Sequence, residues 1–223
     1  MHWLSKYALP VVSDIHGNAD GYSQILFALK AHGITQPPLL LGDLFWTGIE
    51  ERRPREVLEM VMSMPYFGIV KGNTEHYISS GWLDAWEPDS DEDKREKRAM
   101  QIFRKSLSAA EYQFIRDLPE ALPFEYADRA CLAVHASPAD IERGMIVNSS
   151  DENWRSLLNG SKADILITGH LHRAFTHIAN GITHICVGAA GRHPRDEDGI
   201  LDYTVLDKTA VGLAAMHMRL MQA

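Results

Sequence analysis

The sequence has 223 residues, 45% hydrophobic and 23% charged, a size and balance that fit one globular domain with a substantial core and exclude a disordered chain or a coiled coil. Thirty acidic against 22 basic residues give a formal net charge of −8, which argues against a long nucleic acid as partner unless local patches or bound metal reverse the sign. No apolar run approaches the roughly 20 residues of a membrane-spanning helix, residues 1–7 lack the order of a secretory signal, and Cys131 and Cys186 sit in apolar runs as buried thiols; these features predict a soluble, cytoplasmic protein with no membrane partner.

Residues 9–12 read as a buried strand that stops abruptly at Ser13-Asp14. Helical periodicity follows over 19–32, with Tyr22, Ile25, Leu26 and Leu29 on one face. A second strand at 39–41 ends at Gly42-Asp43, a second helix is expected over 51–62 with Val57, Leu58 and Val61 inward, and a third strand at 67–70 ends at Lys71-Gly72-Asn73. The stretch 82–118 differs: 87–98 is almost wholly charged, and Met100, Ile102, Phe103, Leu107, Phe114 and Ile115 follow at roughly helical spacing. It predicts a helical insertion at about 82–118 within a single domain over 1–223, either shielding a site mouth or forming a solvated surface helix. Strands return at 130–134, 165–168, 184–188, 202–206 and 211–218. Alternation of strand and helix, then a β-rich second half, predicts a layered α/β core.

The strand ends carry the chemistry. Asp14-Ile15-His16 follows the first strand and can present two ligands from one turn, although Asp14 also suits a helix cap. Gly42-Asp43, with Gly48 five residues beyond the carboxylate, follows the second, where glycine permits a tight turn. Gly72-Asn73-Thr74-Glu75 follows the third, and Asn73 offers either an amide oxygen or a helix cap. His135 ends the run 131–134, and Gly169-His170-Leu171-His172 ends 165–168, where paired neutral imidazoles can converge on metal. Each element alone is commonplace. Five in succession deliver Asp, His, Asp, Asn, His and paired His to what is expected to be one sheet edge, where ligands of open α/β sheets gather.

This series, Asp14-x-His16, Gly42-Asp43-x4-Gly48, Gly72-Asn73-x-Glu75, His135 and Gly169-His170-x-His172, resembles the signature of the calcineurin-like metallophosphoesterase superfamily. Residues 187–191, Pro194-Arg195 and the strand at 203–207 are similar to the ending of its small bacterial and archaeal members. The resemblance implies a four-layer α/β/β/α sandwich of two mixed β-sheets with flanking helices, and a site with two metals. It assigns Asp14, His16 and His172 to one metal, Asp43 to both, and Asn73, His135 and His170 to the other, with Asp43, Asn73 and His135 also counted as catalytic. Such mixed nitrogen and oxygen donors suit two divalent or trivalent transition metal ions, Mn first and Fe, Zn or Ni as alternatives, better than Mg or Ca. The implied activity is hydrolysis of a small phosphodiester or phosphomonoester by a hydroxide activated at the two-metal site.

One departure is informative. Many members carry His after the Asn of Gly-Asn-x-Glu as proton donor to the leaving oxygen, and Thr74 stands there, as in the small phosphodiesterase branch. Esters with good leaving groups are therefore expected, with His76 aimed elsewhere by the helical turn. Alternative readings are a phosphoprotein or nucleotide monoester phosphatase, a binding module on the same fold without catalysis, and a nucleotide or metal sensor. Asn18 reads first as a helix N-cap and second as a phosphate contact, Arg173 and Arg192 as surface arginines or phosphate contacts, Trp46 as a stacking residue or packing under its loop, and Tyr77, Trp82 and Trp86 as either a self-association patch or packing of the inserted helices. No feature specifies an oligomeric state.

Overall fold

A computed structural model describes residues 4–45, 52–191, 199–210 and 212–222; Trp46, Gly48, Arg192, Pro194 and Arg195, named above, and Glu51 and Val211, which begin two of the expected elements, lie outside the described residues. Five strands form the first sheet: β1 (Leu9–Val12), β2 (Leu39–Leu40), β3 (Gly68–Ile69), β9 (Ile200–Thr209) and β10 (Gly212–Met221). Their order is β10-β9-β1-β2-β3, with β1, β2 and β3 parallel and β9 antiparallel to both neighbours. The second sheet holds β4 (Ala121–Tyr126), β5 (Arg129–Val134), β6 (Ile165–Thr168), β7 (Phe175–Ala179) and β8 (Ile182–Cys186) in the order β4-β5-β6-β8-β7. Here β5, β6 and β8 run parallel, and β4 and β7 are antiparallel edges.

The sheets pack face to face. Val11, Leu39, Leu41 and Val70 of the first meet Ala133, Ile165, Ile167 and Ile185 of the second in one buried cluster. Alternate residues of the first sheet, among them Val12, Leu40, Ile69 and Tyr203, face outward onto helices α1 (Ala19–Ala31), α2 (Pro54–Ser63), α3 (Asn73–Ser79), α4 (Trp82–Ala85), α5 (Asp91–Ser106) and α6 (Ala109–Asp117). On the far side, Val134 and Leu166 carry α7 (Asp151–Leu158) through Trp154, Leu157 and Leu158. The result is the four-layer α/β/β/α sandwich expected from the resemblance. Period-two alternation explains it: a strand buried on both faces gives one set of side chains to the other sheet and the other set to the helices.

Local signals start the helices. Asn18 accepts from Gly21 N at 3.0 Å and caps α1, Ser90 with Asp93 and Ser108 with Glu111 close capping boxes on α5 and α6, and Pro54 opens α2. The second helix thus begins later than 51. Three elements lay outside the sequence reading: β4, β7 and α7. The strand expected at 184–188 is β8 at Ile182–Cys186, so His184 stands in mid-strand rather than at its start. Among the described residues no helix is long and apolar enough to cross a membrane.

Candidate metal centre

The donors come from two sheets rather than one edge, which corrects the sequence expectation. Asp14 and His16 follow β1, Asp43 follows β2 and Asn73 follows β3, while His135 follows β5 and the pair His170 and His172 follows β6. Each sheet's parallel strands point their carboxyl ends at the same place, and a parallel bridge between Ser13 and Ala189 links the sheets there.

All seven predicted residues are brought together. Asp14, His16 and His172 form one group with ligand atoms mutually within 4.8 Å, and Asp14, Asp43 and His135 form another. His16 Nε2 lies 3.0 Å from His172 Nε2, and Asp14 Oδ1 lies 3.2 Å from His172 Nε2. Asn73 Oδ1 lies 2.9 Å from His135 Nε2 and 3.1 Å from His170 Nδ1, and His135 Nε2 is 3.5 Å from Asp43 Oδ1. Asp14 belongs to both groups, and Asp43 also reaches the first, with Oδ2 at 4.0 Å from His16 Nε2.

Five of these residues hold left-handed backbone: Asp14 (φ 54°), His16 (49°), Asp43 (52°), His170 (66°) and His172 (54°). Such conformations are unusual for residues with a Cβ and persist only where surroundings enforce them, a pattern that concentrates at functional sites. The enforcement is visible. Asp14 N, His16 N and Gly17 N donate to the carbonyls of Gly42, Asp43 and Leu44, which interlocks the first two loops. A Cβ on Gly42 would fall 2.3 Å from Gly72 N, so the second and third loops touch backbone to backbone.

Fixed hydrogen bonds aim the donors. His135 Nδ1 donates to Leu41 O at 2.7 Å, which leaves the Nε2 lone pair for the centre. His170 N donates to Asp14 Oδ2 at 2.9 Å and Thr74 N donates to Asp43 Oδ1 at 2.9 Å, so each carboxylate keeps one oxygen for the cluster. Glu75, fully buried, accepts from Asp43 N, Leu44 N, Gly72 N and Thr74 Oγ1 at 2.8 to 3.1 Å. The sequence reading gave Glu75 no role; its signal is the Gly-x-x-Glu spacing of a capping box at the start of α3.

The electrostatics ask for cations. Burial and the nearby Asp14 carboxylate push the Asp43 carboxyl up to about 7. Burial acts to raise Asp14 as well, but the imidazoles of His172, His135 and His16 outweigh it and hold that carboxyl well below the carboxylate range. Burial followed by His135 lowers His170, favouring the neutral ring that ligates metal. Two buried carboxylates and four converging imidazoles, with nitrogens facing one another at hydrogen-bond distance, make a donor set that fits transition metal ions.

The secondary candidates fall away from this centre. Asn18 is occupied by its cap, the Ala190 carbonyl and Gln222, which leaves it no amide group to offer a phosphate. Asp14 is not the helix cap. Arg173 is exposed, Thr74 is buried beneath Glu75, and His76 lies inside α3 with its ring toward Tyr77. Tyr77, Trp82 and Trp86 stack on one another, half-buried against the inserted helices.

The family described as the calcineurin-like phosphoesterase superfamily domain matches residues 8–209. No curated protein sequence matches the chain. Among solved structures, a hypothetical protein from Pyrococcus horikoshii OT3 is similar with a TM-score of 0.76 and 16% identity, over 97% of this chain and 88% of that one. A metallophosphoesterase from Sphaerobacter thermophilus follows with 0.68 and 20%, over 95% and 88%, and a phosphoesterase from E. coli with 0.51 and 17%, over 97% and 100%. These likenesses establish the sandwich fold. With that fold, the match over residues 8–209 and the donor cluster where the sheets meet, the chain belongs to the calcineurin-like phosphoesterase superfamily, a family of metal-binding hydrolases.

Proposed function

We propose that this protein hydrolyses a small phosphate ester at a two-metal site, with Asp14, His16 and His172 holding one ion, Asn73, His135 and His170 the other, and Asp43 between them. The observation that carries this reading is the convergence of all seven side chains from two sheets, five of them on enforced left-handed backbone. Two transition metal ions, Mn first, would supply Lewis acidity there, lowering the pKa of a water and clamping phosphoryl oxygens. The protein's own part is to aim the donors. His135 is locked by Leu41 O, Asp43 by Thr74 N, and the Asp43 and Asn73 loops are held together by Glu75.

Thr74 has its hydroxyl on Glu75 and offers no proton to a leaving oxygen. Good leaving groups therefore suit this site, which favours a phosphodiesterase among the activities of the fold; the phosphoesterase from E. coli and the metallophosphoesterase from Sphaerobacter thermophilus support the broader class. The formal charge of −8 supports a small substrate over a long nucleic acid, and a cytoplasmic setting suits the two free, buried cysteines.

The test is hydrolysis of bis-p-nitrophenyl phosphate beside p-nitrophenyl phosphate, with chelator-stripped protein reloaded separately with Mn, Ni, Zn and Mg. Metal-dependent turnover favouring the diester is the expected result. Monoester preference would point to a phosphatase, and two bound metals without turnover would point to a binding module.

A further inference from the structure

Each sheet of the sandwich has two edge strands, and among the described residues three of these four are short or interrupted. β3 has two residues, β7 has five, and β4 carries Pro123, which has no N–H to offer, with its Phe124 against Phe67 at 5.2 Å. β10 differs. All ten of its residues pair with β9 in one unbroken register, from Gly212 with Thr209 to Met221 with Ile200, and among the described residues no strand pairs with its other side. Alternate residues of such a strand turn both their N–H and their C=O away from the neighbour, so a long row of main-chain donors and acceptors lies along this edge without a strand to meet it.

The side chains leave this edge open as well. Arg219 is turned back onto its own sheet and donates to both Asp202 carboxylate oxygens, at 2.8 and 2.9 Å, and His217 lies 2.9 Å from Thr204 Oγ1 and 3.1 Å from Thr176 Oγ1. Thr176 belongs to β7, so the β10 and β7 edges lie one over the other. The sheets part beside them. A cavity of about 280 Å3 opens between Leu213 and Ala215 of β10 and Thr183 and Ile185 of β8, and Ile178, two residues beyond Thr176 on the same face of β7, is 70% exposed. Charge says what this edge can meet. A chain at −8 repels its own copies, yet residues 208–223 contain no Asp or Glu and carry Lys208 and Arg219, so copies that meet along β10 meet away from the acidic excess.

We propose that β10 is the interface of a two-fold homodimer, pairing antiparallel with β10 of a second copy so that the two first sheets become one continuous sheet. The edge fits its own copy because a two-fold axis presents the same patch from both sides and then closes. An axis perpendicular to the sheet keeps helix-facing residues beside helix-facing residues. Centred on His217, the pairing sets Met216 opposite Met218 of the partner subunit and Ala214 opposite Leu220 of the partner subunit, apolar cross-strand pairs of the kind that stabilise neighbouring strands. On the other face Leu213 stands opposite Met221 of the partner subunit, and the second copy covers the open side of the sandwich beside Ile178. The proposal is independent of the chemistry at the metal centre.

Analytical ultracentrifugation of the full chain over a dilution series, with hydrogen exchange measured on the same samples, tests this. Wild type is expected to show twice the mass of the chain, falling to the single mass on dilution, and amides within 212–221 are expected to lose protection as it falls. Ala214→Lys places a charge on the edge, and it is expected to raise the concentration at which the dimer forms while leaving the circular dichroism spectrum unchanged. Phe27→Lys is the control, an exposed apolar residue on α1 away from the strand, and should leave that concentration where it was. The exchange measurement needs no variant and decides the matter should Ala214→Lys fold poorly. A single-chain mass at every concentration would overturn the proposal. So would a dimer whose 212–221 amides exchange as fast as in the monomer, or one dispersed by Phe27→Lys and untouched by folded Ala214→Lys.

Discussion

Glu75 contributes no donor to the metal cluster, yet four hydrogen bonds from two separate stretches of chain, 43–44 and 72–74, end on its carboxylate. Burial, then the neighbouring Asp43 charge, pushes its carboxyl above the ordinary value, and the donors that surround it are what make the position tolerable. In Glu75→Gln one of the two acceptor oxygens becomes an NH2 facing hydrogen-bond donors. That change is expected to destabilise the fold by about 2–4 kcal/mol, read by urea unfolding, and to loosen metal binding at Asp43 and Asn73. Unchanged unfolding would mean the residue is a passive filler. The left-handed ligand residues carry the same lesson. Each costs roughly 1 kcal/mol or more against ordinary backbone, and the interlocked loop hydrogen bonds offset it.

Among the elements, β8 places a histidine where chemistry is least welcome. His184 is buried between Trp154 and Phe175, with Nε2 bonded to Thr168 Oγ1 at 2.8 Å. Desolvation pushes its pKa down to about 3, with His177 adding to the effect. The unfolded chain takes up this proton below about pH 6.5 while the folded one refuses it until about pH 3, so stability is complete above 6.5 and falls as pH drops toward 3. The slope is at most about 1.4 kcal/mol per pH unit. His184→Gln, which cannot titrate, should flatten the difference in unfolding free energy between pH 6.5 and 4; parallel curves for the two proteins would refute this origin of acid sensitivity.

The elements also show which signals were legible. The hairpin between β7 and β8 turns on Asn180-Gly181, both at positive φ, the residue pair a type I′ turn prefers, so this turn is written in the sequence. The hairpin between β4 and β5 turns on Ala127-Asp128 at φ 52° and 60°, and although Asp tolerates that conformation, Ala has no preference for it and no glycine marks the turn. Pro123 within β4 further disguised an edge strand, where a missing N–H is tolerated. α7 carried its own marks, Ser150 as cap and Asn159-Gly160 at its end, in a stretch too short for periodicity to stand out.

At the scale of the whole molecule, the candidate metal centre is the joint between two sheets. His16, Asp43 and Asn73 belong to one, and His135, His170 and His172 to the other. Ions bound there would hold the two halves of the sandwich together and, by favouring the folded state, would stabilise it by mass action. At metal near a hundredfold above its dissociation constant this amounts to about 2.7 kcal/mol per site. Stripping with a chelator should therefore lower the melting temperature by roughly 5–10 °C, with recovery on adding Mn or Zn but little on Mg. A scan indifferent to chelator would argue that the joint is held by protein contacts alone.

Residue type and order were enough to nominate candidate donors that the fold gathers in one place. Ligand chemistry is a property of the side chain, and the abrupt end of each apolar run marks a strand terminus where such a side chain is presented; hence Asp14, His16, Asp43, Asn73, His135, His170 and His172 could all be singled out in one dimension. Which of them meet was decided only in three dimensions, because their encounter depends on two sheets stacking face to face, a fact of long-range packing that no local pattern carries. The same holds for Glu75, whose partners lie 31 and 32 residues away in Leu44 and Asp43. Its role follows from burial and hydrogen-bond geometry, and those exist only once the sandwich has closed.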